Sequence, residues 1–239
     1  VPVVYLSQAT ASQLASRGAL MSGGQALEVQ AAGTVHNDGT LQGGHGAWLS
    51  ADALINTGVV GGGSVQVATS GDVRNRGRLS GSTVVVDAGG DFMQDARGRV
   101  ESSGAATVRA GRNLDLTRTT VAGAGPVTLA AGQDLRVTAT QVLSGSSLAL
   151  SAGQDLVLTN RSTTAAGGSM ALQAGRDLAV REATVTAGED LVARAGRDLD
   201  VESVSQEATL RTTAARHGKS RVTTTTSTQG LDVQALVAG

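Results

Sequence analysis

Acidic residues at a fixed step are the first feature that could do chemistry. Asn113, Asp134, Asp155, Asp177 and Asp198 each stand two positions after a glycine, and those glycines recur almost evenly, at 111, 132, 153, 175 and 196. Stacked side chains of this kind could ladder a cation through carboxylate oxygens. The simpler reading makes each one a turn residue that caps its own corner, a task Asn113 performs as well as an aspartate, and this reading is preferred. Asp198 and Asp200, two apart with Arg176 and Arg197 near, are the best candidates for a pair of catalytic acids on one face. An active carbohydrate site needs more acids converging in a groove with aromatic walls, and no groove-forming loop is visible. Catalytic, cofactor-binding and metal-binding roles are therefore assigned to no residue of the chain, and no ligand-contact residue is singled out.

Other fragments of motif fail on spacing. Gly43-Gly44-His45-Gly46 begins like a calcium-binding β-roll nonapeptide, but Trp48 occupies the place of the aspartate. Gly218-Lys219-Ser220 resembles the end of a phosphate loop, yet Thr213 stands where its first glycine belongs. His36, His45 and His217 have no metal-ligand spacing. Thr117/Thr119 and Thr138/Thr140 lie one repeat apart like the rows of an ice-binding face, but Arg161 breaks the array, so strand propensity accounts for them. Asn160-Arg161-Ser162 fits a glycosylation acceptor, a tripeptide that arises often by chance.

The elements that carry these residues follow from two repeats. The phrase Ala-Gly-x-Asp/Asn-Leu recurs around each of the glycines just named, with a Phe variant around Gly89 and Phe92. An extra copy at Ala187-Gly188-Glu189-Asp190-Leu191 implies that the phrase can occupy another corner. The variable residue after each corner glycine, as in Arg112, Arg176 and Arg197, reads as a choice for solubility. A second phrase, aliphatic-x-Asn-x-Gly-x-aliphatic, places Gly39, Gly58 and Gly77 at steps of 19. The change from 19 to 21 falls around positions 89–104.

Apolar residues alternate on both sides of each glycine, as in Val127, Leu129 and Ala131 before the turn and Leu135 and Val137 after it. Period-two alternation predicts short strands with one buried face, and corner glycines suit turns that need positive φ. Two or three strands per repeat, stacked in register, predict an all-β parallel β-helix. Dividing the whole length by the repeat gives about 12 rungs and a rod of roughly 55 Å. Three units are expected: 1–103 with 19-residue repeats, 104–204 with 21-residue repeats, and 205–239 as a Thr-rich extended tail or hairpin leaving the coil.

Composition agrees. There are 33 glycines, three aromatics and no cysteine, with a formal net charge of −1. A narrow stacked interior has little room for rings, and the chain offers neither a basic field nor base-stacking platforms for nucleic acid. No apolar run approaches the ~20 residues of a membrane-spanning helix. No signal sequence opens the chain, so an internal fragment is expected.

The two phrases, over about residues 30–203, resemble the two haemagglutinin-type repeat classes of filamentous haemagglutinins, large exoproteins exported by two-partner secretion. The resemblance implies a right-handed parallel β-helix, non-enzymatic, secreted to the surface of a Gram-negative cell. It implies a shaft that projects binding regions of an adhesin or, alternatively, a stalk that presents a toxin in contact-dependent growth inhibition. An outer-membrane transporter during export and cell-surface receptors or glycans are the implied partners. A polysaccharide-active β-helix enzyme is the more distant alternative.

Overall fold

The computed structural model describes residues 19–203 throughout, and beyond them only the backbone of Val204–Leu210, Ala215–Arg216, Lys219–Ser220, Ser227–Val233 and Leu236–Ala238. The described chain is all-β, and its parallel strands stack in register as a solenoid of about nine turns.

Each turn has three strand segments. One rung reads Leu114–Thr117, Thr120–Gly123 and Val127–Ala131, and the next reads Leu135–Thr138, Gln141–Ser144 and Leu148–Ala152. Segments pair parallel with their counterparts, Leu114 with Leu135 and Val127 with Leu148, so backbone hydrogen bonds join successive rungs. Strands such as Thr40–Ala51 and Val59–Thr69 run through two faces without interruption, with a register shift between Gly43 and Gly46.

The first segments form a nine-stranded sheet. The expected 12 rungs are therefore too many. Dividing the whole length by the repeat counted residues that lie outside the ladder, and nine strands at the inter-strand spacing span about 38 Å. One such stretch is Val204–Leu210, which pairs antiparallel with Ser227–Val233. The chain then regains the ladder: Leu236–Ala238 lies parallel to Thr184–Ala187, with Leu236 opposite Thr184. Ala215–Arg216 pairs antiparallel with Lys219–Ser220, and the other residues expected in the 205–239 tail lie outside the described residues.

Side chains alternate in and out along each segment, as the sequence pattern requires. Val73, Phe92, Leu114, Leu135, Leu156 and Leu178 form one column, all buried. Val60, Leu79, Val100, Val121, Val142, Thr164 and Val185 form another. Phe92 sits in the same column, between Val73 and Leu114. Each aliphatic is covered by the rung before and the rung after, so stability accrues rung by rung.

The corner glycines serve a different purpose from the one expected. None of the glycines from Gly23 to Gly196 has φ in the left-handed region, and a Cβ on Gly132, Gly153, Gly175 or Gly196 would collide with the carbonyl oxygen of the glycine one rung earlier. Close stacking of backbones excludes a side chain there. Left-handed φ belongs instead to Arg118, Ala139, Asn160, Arg161 and Glu182, between the first and second segments. Gly188 stacks on Gly167, so the extra Ala-Gly-x-Asp-Leu phrase does occupy another corner.

Candidate functional site

Two polar columns run along the ladder, one outside and one inside.

The outer column is the acid series. The backbone N–H of Asp91 donates to Asp72 Oδ1 at 2.9 Å, that of Asn113 to Asp91 Oδ1 at 3.1 Å and that of Asp134 to Asn113 Oδ1 at 3.4 Å. Asp155 and Asp177 continue with N–H donation to Asp134 and Asp155 at 3.2 and 3.3 Å. Each side chain thus caps the amide of its counterpart in the following rung. The expectation that it caps its own corner is corrected by one rung. Stacking supplies the reason, since the amide above is the nearest unpaired donor.

Where the residue after the corner glycine is arginine it completes this column, so solubility is not its only role. Arg112 Nη2 reaches Asp72 at 3.0 Å and Asp91 at 3.2 Å. Arg176 Nε donates to Asp155 Oδ1 at 2.7 Å, and Arg197 clamps Asp177 from the next rung. The Arg176 guanidinium, hydrogen-bonded to Asp155, holds that carboxyl below the ordinary carboxylate range. Burial pushes the Asp115 carboxyl up, and Arg136, 3.9 Å away, opposes it. With arginines and backbone amides filling the carboxylate lone pairs, the column is built to neutralise itself between rungs.

The inner column was not recognised in the sequence. Asn37 Nδ2 donates to Asn56 Oδ1 at 2.7 Å, Asn56 Nδ2 to Asn75 Oδ1 at 2.8 Å and Asn75 Nδ2 to Gln94 Oε1 at 2.9 Å, all buried. The same nitrogens reach corner carbonyls of Val59, Arg78 and Arg99. Gln94 closes the series by donating to Thr119 Oγ1 at 2.6 Å and the Thr120 carbonyl at 3.0 Å. Beyond it the same column position holds Leu116, Val137, Leu158 and Val180. The interior changes from amide to aliphatic where the repeat changes length. The signal was present: Asn37, Asn56, Asn75 and Gln94 are evenly spaced in the sequence and each precedes a corner.

The remaining candidates separate. Asp200 pairs with Arg181 at 2.6 Å and Asp198 with Arg197 at 3.0 Å, while Arg176 is engaged with Asp155. The supposed pair of acids with shared arginines is thus divided among different partners. A concavity of about 500 Å³ holds a single acid, Asp95, bound to Arg76 at 2.9 Å, beside Arg97 and Arg118. Two-carboxylate glycoside chemistry needs a second acid there. Thr119 and Thr140 turn inward and are buried, continuing the polar interior rather than forming an outer array. His36 and His45 are exposed on different sheets; His217 and Gly218 lie outside the described residues.

Three-segment rungs, glycine corners stacked carbonyl over Cα, and polar columns in register define a parallel β-solenoid built from short repeats. Residues 6–77 match a family model described as Haemagglutinin repeat, and residues 157–220 match a second, described as Hemagglutinin repeat. Those two segments carry haemagglutinin repeats of both kinds, consistent with a filamentous haemagglutinin-like fragment. Such repeats are structural and adhesive rather than enzymatic. No curated protein and no solved structure matches the chain. The solenoid and its repeats fit the shaft of a filamentous adhesin-like protein.

Proposed function

We propose that this chain is a length of shaft in a large surface filament, exported by the two-partner route and holding adhesive regions away from a Gram-negative cell. The observation that carries the reading is the nine-strand ladder that runs through both haemagglutinin-repeat segments. Rungs joined by backbone hydrogen bonds, with aliphatic columns inside and self-neutralising Asp–Arg pairs outside, make a stiff element. The absence of cysteine supports passage through a narrow outer-membrane transporter, since no disulfide can lock a loop during threading.

Protease treatment of intact producing cells, followed by adherence measurements, tests this. The reading expects the chain to be cleavable from outside, and deletion of its gene to reduce attachment to host cells or glycan-coated surfaces. A chain shielded in intact cells, or unchanged adherence on deletion, would overturn it. Loss of inhibition of neighbouring bacteria with adherence intact would assign the shaft to toxin delivery instead.

A further inference from the structure

The chain has a single tryptophan. Trp48 stands on the outward side of strand Thr40–Ala51, between buried Ala47 and Leu49, and is 39% exposed. A Cβ on Gly46 would lie 2.8 Å from the Cζ2 and Cη2 atoms of the indole, so the six-membered ring rests on Gly46, two positions back along its own strand. Ala26 and Ser64 occupy the place of Gly46 in the adjoining rungs. The bare glycine coincides with the rung that carries the ring.

The surroundings are polar and in register. Glu28 and Gln66 flank Trp48 on the neighbouring strands, and Gln30 and Ser50 follow two positions on. Gln30 Nε2 donates to Glu28 Oε1 at 2.6 Å and so orients that carboxylate. A concavity of about 140 Å³ opens beside the ring, lined among others by Glu28, Gln30, Ser50 and Gln66.

We propose that Trp48 and these four side chains form a binding site for a neutral sugar, one pyranose ring at a time. The axial C–H groups of a pyranose carry slight positive charge and stack on the electron-rich face of an indole. Its hydroxyls both donate and accept, which suits a carboxylate beside amides and a hydroxyl. Among the described residues no arginine, lysine or histidine lines the concavity, so an anionic ligand would find no counter-charge. The site gives the shaft a contact of its own and rests on the adhesive side of the function proposed above.

The sole tryptophan reports on its own site. The full chain is titrated with glucose, galactose, mannose, N-acetylglucosamine and lactose while its fluorescence is followed, with calorimetry in parallel. At least one sugar is expected to shift the emission to the blue and to saturate. Gln66→Ala should weaken that binding about tenfold, as should Gly46→Ala, which lifts the ring. Trp48→Ala should abolish the calorimetric signal with the melting temperature unchanged. Failure of every sugar to give a saturable change, or equal binding by the Trp48→Ala chain, would overturn the site. Neither result depends on export, so the surface-filament reading stands or falls separately on the adherence of cells.

Discussion

Asn56 and Asn75, one rung apart and both fully buried, are joined by a side-chain amide hydrogen bond of 2.8 Å that continues the one between Asn37 and Asn56. An amide is suited to this place because it donates and accepts at once, so the series propagates through the first rungs without an orphan. Replacing Asn56 by Leu removes both links, leaves Asn37 Nδ2 with the Val59 carbonyl alone and leaves Asn75 Oδ1 without its donor. A loss of about 2–4 kcal/mol is expected in denaturant unfolding. An Asn56→Leu chain as stable as the original would mean that the amides are bystanders.

Gly153→Ala should be far worse than Gly61→Ala. The first would press a methyl group into the Gly132 carbonyl, whereas the second meets nothing nearer than the Ser80 carbonyl at 3.7 Å. About 3 kcal/mol or more separates a substitution that forces rungs apart from one that fits. Thermal melting of the two variants side by side reads the difference. Similar melting temperatures would defeat the close-stacking account of the corners.

Thr164 is the hydroxyl in a valine column, between Val142 and Val185, and its Oγ1 has no hydrogen-bond partner. Thr164→Val keeps the shape and removes the unpaired group. A gain of about 1–2 kcal/mol is expected, measured as a raised denaturation midpoint with unchanged slope.

Leu156 is fully buried in the leucine column between Leu135 and Leu178. Leu156→Asp removes packing and buries a charge with no partner, at a cost of at least about 4 kcal/mol. An unchanged melting temperature would contradict the register.

Asp155 gives the ladder a pH dependence. Its folded pKa is lowered, chiefly by the hydrogen bond from Arg176. Its contribution is therefore present above the ordinary carboxylate range and lost as pH falls through the folded value. Asp155→Asn should cost under about 1 kcal/mol at pH 7, a small figure because Asn113 already fills an equivalent place. The gap to the original chain should close in acid. Asp115, raised chiefly by burial, works in the opposite sense: its protonation on acidification relieves a penalty. Unfolding curves for Asp155→Asn and Asp115→Asn at pH 7 and pH 3 distinguish the two, and parallel behaviour would refute the assignment.

The rung was legible in the sequence because a stacked fold repeats its constraints at one step. Glycine at 132, 153 and 175 and leucine at 135, 156 and 178 recur for that reason. What those residues do was less legible. A glycine required by left-handed φ and one required by a neighbouring carbonyl look the same in a sequence, and only the stacked backbones separate them. The partner of Arg176 is Asp155, a full rung earlier in the chain, so its role appears only once the rungs are superposed. The change of period also resolves into particular corners. One residue stands between Arg76 and Arg78, two between Thr117 and Thr120, and three between Asp95 and Arg99. Two residues separate Gly81 from Val84, and three separate Ser102 from Ala106. Length varies where the chain turns, and the sheets keep their pairing.

The return of Leu236–Ala238 to the face of Thr184–Ala187 carries a consequence for how such a molecule grows. A step like the one from Thr163 to Thr184 would bring the chain back at position 205, yet the partner of Thr184 is Leu236. The antiparallel pair Val204–Leu210 and Ser227–Val233 falls between the two without changing the parallel pairing. Reach and ornament are then independent variables. Adding rungs extends the filament, while a loop spliced into a corner hangs from its side, and selection can edit either one without rewriting the other.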